Sequence, residues 1–215
     1  MLQQRIALSF LVVATACSGP AVTAVASTDF DADAPDRVPA GFVAAQTNGA
    51  GRLASWTTVA GDAAHGNVVR VDTANSGATF NLLLSAAPGP ADLMLGVDLR
   101  AVSGTEDQGG GLAWRAQDAA NYYCARWNPL EDNLRLYKVV DGERTMLAGT
   151  ELTATRDGWH RLEVEMRGTR VKVAFDGRWL LAADDTTFAA AGRYGLWTKA
   201  DASTAFDALV VGAVR

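Results

Sequence analysis

The sequence has only two cysteines, Cys17 and Cys124, and two histidines, His65 and His160. Cys17 falls in a segment expected to be cleaved off or lipidated, which leaves Cys124 without a partner, so a compact core has to hold the chain. Two separated histidines and one downstream thiol argue against a transition-metal site of the His/Cys type. The longest apolar run, Ile6–Ala16, is shorter than the roughly 20 residues a membrane-spanning helix needs. Positive charge is also scarce: 19 Lys and Arg against 24 Asp and Glu give a net charge of −5. An acidic balance with scattered basic residues speaks against nucleic acid as a partner. Gly109-Gly110-Gly111 is not a phosphate loop, because no Lys-Ser/Thr pair follows it.

What is present begins with a leader pattern. Arg5 precedes the uncharged run to Ala16, and small residues follow at two cut points. Ala24-Val25-Ala26 fits an A-x-A site ahead of Ser27, which makes residues 1–26 a signal peptide and 27–215 a single domain. Ala14-Thr15-Ala16 ahead of Cys17 is the alternative, a lipoprotein signal that would leave a lipid anchor on Cys17 as the only tie to a membrane. Loss of Arg5 with the leader leaves 18 basic against 24 acidic residues, or −6.

Downstream the pattern is that of strands. Thr28–Phe42 is rich in Asp, Ala and Pro and is expected to be irregular, with at most a short edge strand at Asp29-Phe30-Asp31. Apolar and β-branched runs follow at Val68–Val71, Thr79–Leu84, Leu93–Val102, Gly110–Ala116, Asn121–Trp127, Asn133–Val140 and Arg144–Ala148. His160, Leu162, Val164 and Met166 alternate with Arg161, Glu163, Glu165 and Arg167, the signature of a half-buried antiparallel strand. Val171, Val173 and Phe175 lead to the hairpin signal Asp176-Gly177 and back through Trp179–Leu181; Gly195–Thr198 and Ala205–Val211 close the chain. About a dozen short strands with Gly-rich turns and no long helix predict an all-β, two-sheet antiparallel sandwich.

Several blocks carry a family resemblance: Gly111-Leu112-Ala113-Trp114-Arg115, Asn121–Asn128, Leu130–Tyr137, Trp159-His160, Phe175-Asp176-Gly177, Gly195–Asp201 and Phe206-Asp207. In this order, over about half of the chain, the sequence resembles the concanavalin A-like lectin/glucanase jelly roll. More narrowly it resembles exported bacterial domains grouped with the 3-keto-disaccharide hydrolase, or family 16 glycoside hydrolase-like, family. The resemblance implies a jelly roll that contacts carbohydrate outside the cytoplasm. The reaction does not carry over. The E-x-D-x-x-E array of retaining family 16 enzymes, which sets its carboxylates on one face of a strand, is replaced by Glu131-Asp132-Asn133 with no second Glu. Asn75-Ser76-Gly77 is likewise not followed by the strand ending in Arg that the keto-sugar hydrolases show.

Three functions remain in view: glycan binding, hydrolysis or lyase cleavage of 3-keto-glucosides, and a non-catalytic structural role in the envelope. Alternation puts Tyr122, Cys124, Arg126 and Asn128 on one face and Tyr123, Ala125 and Trp127 on the other. Arg126 and Asn128, with Arg115 on the next strand, are an odd choice for a dry core and suit sugar hydroxyls, while Trp127 and Trp197 are the candidate stacking rings. The bland alternative pairs Arg126 with Glu131 or Asp132 to pin the loop Pro129–Asn133. Catalytic candidates are Glu131, Asp132 and His160; His160 also reads as a core or rim histidine beside Leu162. Cys124 reads as a small packed residue rather than a nucleophile. A calcium ion needs only oxygen ligands, and Asp29, Asp31 and Asp207 could supply them if the first and last strands pair.

Overall fold

The computed structural model describes residues 22–49 and 51–214. Residues 1–21, which hold Cys17 and most of the expected signal peptide, lie outside the described residues. Fifteen strands follow in order: β1 (Val22–Thr28), β2 (Phe42–Thr47), β3 (Ser55–Ala60), β4 (Asn67–Asp72), β5 (Phe80–Ser85), β6 (Leu93–Ser103), β7 (Gly110–Ala116), β8 (Tyr122–Asn128), β9 (Asn133–Val140), β10 (Glu143–Glu151), β11 (His160–Arg167), β12 (Arg170–Phe175), β13 (Arg178–Asp184), β14 (Arg193–Lys199) and β15 (Ser203–Val214). Among the described residues there is no α-helix.

The strands form two antiparallel sheets. One has the order β13-β12-β11-β6-β15-β4-β3, with β1 pairing to the far half of β15; the other has the order β10-β9-β8-β7-β14-β5-β2. Alternation explains the core between them. Leu162, Val164 and Met166 of β11 and Val171, Val173 and Phe175 of β12 meet Leu112 and Trp114 of β7 and Tyr123, Ala125 and Trp127 of β8, all buried. Truncating a fully buried ring such as Trp127 would cost about 3–5 kcal/mol.

The seven-stranded sheet also has a second apolar cluster on its other face: Phe80, Leu82, Leu84, Ala113, Tyr122, Cys124, Tyr137, Val139 and Trp197. The end of β2 reaches the β7–β8 and β9–β10 turns across this face. The Asn48 amide, just past β2, donates to the Gly142 carbonyl in the β9–β10 turn at 2.8 Å. The Thr47 hydroxyl donates to the Ala119 carbonyl (2.6 Å), so the Tyr122 hydroxyl, 2.8 Å away, donates to Thr47 and accepts from the Trp197 indole.

Two expectations change. Asp29-Phe30-Asp31 is a turn and not an edge strand: Phe30 has φ 59° and buries its ring, which contacts Phe42. The strand lies just before it, as β1, and pairs with β15. β2 and β3 had no sequence signal strong enough to read, because Phe42–Thr47 holds two alanines and Ser55–Ala60 has only Trp56 and Val59 as large apolar residues.

Candidate functional site

The polar residues of β8 face the curled side of the seven-stranded sheet. Gly111 of β7 stands opposite Arg126, and Asn133 of β9 stands opposite Asn128. Arg126 is 2% exposed and Asp107, from the loop before β7, is 1% exposed. Two such groups leave water only if their charge and hydrogen bonds are met inside. The charges are met: Arg126 Nη1 lies 3.2 Å from Asp107 Oδ2, Lys199 Nζ 3.1 Å from the same oxygen, and Asn128 Nδ2 donates to Asp107 Oδ1 at 3.0 Å, while Arg126 Nε is buried without a hydrogen-bond partner. Arg126 Nη2 completes the set with Glu131 Oε2 at 2.7 Å and Asn133 Oδ1 at 3.0 Å. Burial pushes the Asp107 carboxyl up, against the pull of Arg126 and Lys199. At Glu131, whose side chain is half exposed, hydrogen bonds from Asn133 and Arg126 outweigh desolvation and hold the carboxyl below its usual value.

The loop that carries Asp107 is preset from the β14–β15 turn. Asp201 accepts the backbone amides of Thr105, Glu106 and Asp107 and the Thr105 hydroxyl. Those bonds outweigh its desolvation and bring its carboxyl down to about 2. Gly104 has φ 143°, and a Cβ there would fall 1.9 Å from the Asp107 carbonyl oxygen, so the loop needs glycine at this point. Asn128 shapes the other wall by accepting the amides of Leu130 and Glu131.

Beside this network opens a cleft of about 390 Å³ lined by Arg144, Lys199, Glu106, Glu143, Phe80 and Asn48. Arg144 comes from β10, opposite Val139, and lies over three rings: 4.3 Å from the Tyr137 centroid, 5.1 Å from Phe80 and 5.9 Å from Trp197. Its Nη1 is buried with no hydrogen-bond partner. Met146, two residues on and opposite Tyr137, is 56% exposed on the same face.

The other sequence candidates lie elsewhere or deeper. Arg115 is not brought to Arg126. It sits at the far end of β7 with φ 46°, binds the Ala91 and Phe188 carbonyls and pairs with Asp92 at 3.1 Å, pinning the loop before β14. Trp127 is buried in the core between the sheets, and Trp197 is buried beneath Arg144. Asp132 is exposed in a turn with φ 47°. His160 has both ring nitrogens taken, Nδ1 by Asp176 at 2.8 Å and Nε2 by the Thr155 carbonyl at 2.8 Å, and packs against Trp127 and Phe175. It braces β11 to two turns. His65 is likewise engaged, stacked on Trp159 at 3.9 Å and bonded to Asp62.

Asp29 caps the Asp31 amide, Asp31 accepts the Asn67 amide, and Asp207 accepts the Ala208 amide. Among the described residues, no three His, Cys, Asp or Glu side chains are gathered so as to hold a metal ion. Cys124 is buried, and desolvation pushes its thiol up to about 12. Asp107, Lys199, Arg144 and Phe80 were not singled out from the sequence as site residues. They lie on four separate segments, and no local spacing ties them together.

No known protein-family profile matches the chain. Its sequence is similar to the levanase of Bacillus subtilis (strain 168), 29% identical over 148 residues, 67% of this chain and 21% of that protein. The chain therefore spans about a fifth of the length of the curated relative it matches. Among solved structures it resembles the carbohydrate-binding module CBM66 from Bacillus subtilis, with a TM-score of 0.61 and 24% identity over 75% of this chain and 98% of that one. The fold is shared with a carbohydrate-binding module. Domain 4 of AbnA, an extracellular arabinanase from Geobacillus stearothermophilus solved with arabinotriose, is similar at a TM-score of 0.57, with 11% identity over 90% of this chain and 93% of that domain. A Bacillus subtilis protein of unknown function with a galectin-like fold matches at 0.61, with 9% identity over 89% of this chain and 96% of that one. These likenesses show the two-sheet sandwich.

Proposed function

We propose that this domain is an exported glycan-binding module whose ligand sits in the cleft beside Arg144 and Lys199. The observation that carries the reading is the Arg144 guanidinium, which lines the cleft with its Cζ 4.3 Å from the Tyr137 ring and 5.1 Å from the Phe80 ring. Arg144 lines the cleft, and guanidinium donors that no protein group takes up are available to sugar hydroxyls entering it. Lys199 spends one donor on Asp107 and has others for the ligand. The cleft volume is in the range of small-ligand sites, and exposed Met146 extends the apolar surface beside it.

Charge narrows the ligand class. The lining has two cations, Arg144 and Lys199, and two carboxylates, Glu106 and Glu143, with Asp107 behind Lys199. That balance favours a neutral sugar, whose hydroxyls both donate and accept, over a uronate. The similarity to a levanase and to CBM66, and the arabinotriose bound by the arabinanase domain, support a saccharide as ligand and an extracellular setting. In this reading Arg126 and Asn128 position Asp107, and through it Lys199, rather than touching the sugar.

Calorimetric titration of the domain with fructan, arabinan, neutral glucan and uronate oligosaccharides tests the reading. Saturable binding of a neutral glycan is expected, weakened about tenfold or more by Arg144→Ala at an unchanged melting temperature, since one hydrogen bond to a charged group is worth roughly 1.5–3 kcal/mol. Absence of binding to every neutral glycan, or full binding by Arg144→Ala, would overturn it.

A further inference from the structure

We infer that residues 22–28 belong to the mature folded protein, so that the export leader is removed upstream of Val22 and not after Ala26. The inference rests on the export reading above. β1 pairs antiparallel with the far half of β15: Val22 with Val214, Thr23 with Ala213, Ala24 with Gly212, Ala26 with Val211, Ser27 with Val210 and Thr28 with Leu209. On its other side the same stretch of β15 pairs with β6, from Val210 opposite Gly96 to Ala213 opposite Leu93. β4 reaches only Ala205 and Phe206. β1 is therefore the element that closes the second edge of Leu209–Val214.

A cut after Ala26 would leave Ser27 and Thr28 as the only remaining partners. The rest of this edge would be a row of unpaired backbone groups on an apolar strand, a template for aggregation. Leu209, Val211 and Val214 are buried in the intact sheet. Ala26, Ser27 and Thr28 also form one wall of a recess of about 200 Å³ with Phe42, Tyr194 and Leu209. A signal peptidase acts on the chain before it folds, so the pairing does not shield the bond. The products differ: of the two cuts that the sequence offers, the one ahead of Cys17 leaves β1 whole, and the one after Ala26 removes most of it.

The test is the intact mass of the full chain expressed in a bacterial host and recovered from the envelope and medium. A mature N-terminus upstream of Val22 is expected, and an N-terminus at Ser27 would overturn the inference. Unprocessed chain confined to the cytoplasm would instead overturn the export reading, and this inference with it. A second comparison needs no export: chains beginning at Ser18 and at Ser27, made without a leader. The longer chain should melt about 5 °C or more higher and exchange its Leu209–Val214 amides more slowly, since about 2 kcal/mol shifts the melting point of a domain this size by several degrees. Equal melting and exchange would show that β1 does not complete the sheet.

Discussion

Asn48 donates to the carbonyl of Gly142 at 2.8 Å across 94 positions of sequence, and this bond joins the two ends of the seven-stranded sheet. The contact lies at the rim of the second buried cluster, and both residues line the candidate cleft. Asn48→Ala removes the bond and is expected to cost about 1 kcal/mol in denaturant unfolding. Amide exchange should quicken in β2 and β10 first; uniform exchange across the sheet would show that the edges are not held by this pair.

The Asp107 carboxylate answers both Arg126 and Lys199. Asp107→Ala should destabilise the domain by about 3–5 kcal/mol, because it leaves buried cationic charge uncompensated. A double variant, Asp107→Leu with Arg126→Met, should recover much of that loss, as removing both charges leaves less to desolvate. Urea midpoints of the single and double variants decide it, and a double variant no more stable than the single would sink the explanation.

Asp201 gives a pH dependence with a defined sign. Its carboxyl is about 2 in the folded chain against an ordinary 3.8, so its stabilising bonds are fully present above pH 3.8 and are lost as pH falls from 3.8 toward 2. The gap in stability between the native chain and Asp201→Asn should therefore shrink over that interval and be constant above it. Parallel urea titrations from pH 2 to 6 measure the gap; one that widens on acidification contradicts the assignment.

Cys124 is buried, with its thiol pushed up to about 12. Thiolate is the reactive form, so a maleimide at pH 7.5 should label the folded chain only through unfolding, and rapidly in denaturant. Labelling that is fast in native buffer would mean that the second cluster opens on its own.

Strand existence was readable where one face is apolar and the other polar. β7 and β9 have the bounds read from the sequence, and β11 shows its alternation in burial, with Leu162, Val164 and Met166 inside. Within β8 the division of Tyr122, Cys124, Arg126 and Asn128 from Tyr123, Ala125 and Trp127 also follows from the period of two. Of the two partners that the sequence offered Arg126, Glu131 and Asp132, the structure pairs it with Glu131, which the β8–β9 hairpin loop carries back beside it. Arg115 was less legible: the β7–β8 register sets Gly111 opposite Arg126 and leaves Arg115 at the other end of the pair, and a strand sequence does not print its register.

By itself the amino-acid order determined the all-β class, the hairpins and the facing of most strands, since these depend on neighbours a few residues away. Only the tertiary structure decided that the polar face of β8 is roofed over, that Asp107 and Lys199 neutralise Arg126, and that Arg144 stands over Tyr137 at the open rim. It also decided that Val22–Thr28 fills the edge of β15. Asp107 lies 19 residues from Arg126 and 92 from Lys199, and Val22 pairs with Val214; such contacts arise from sheet curvature and strand order, which no local periodicity records.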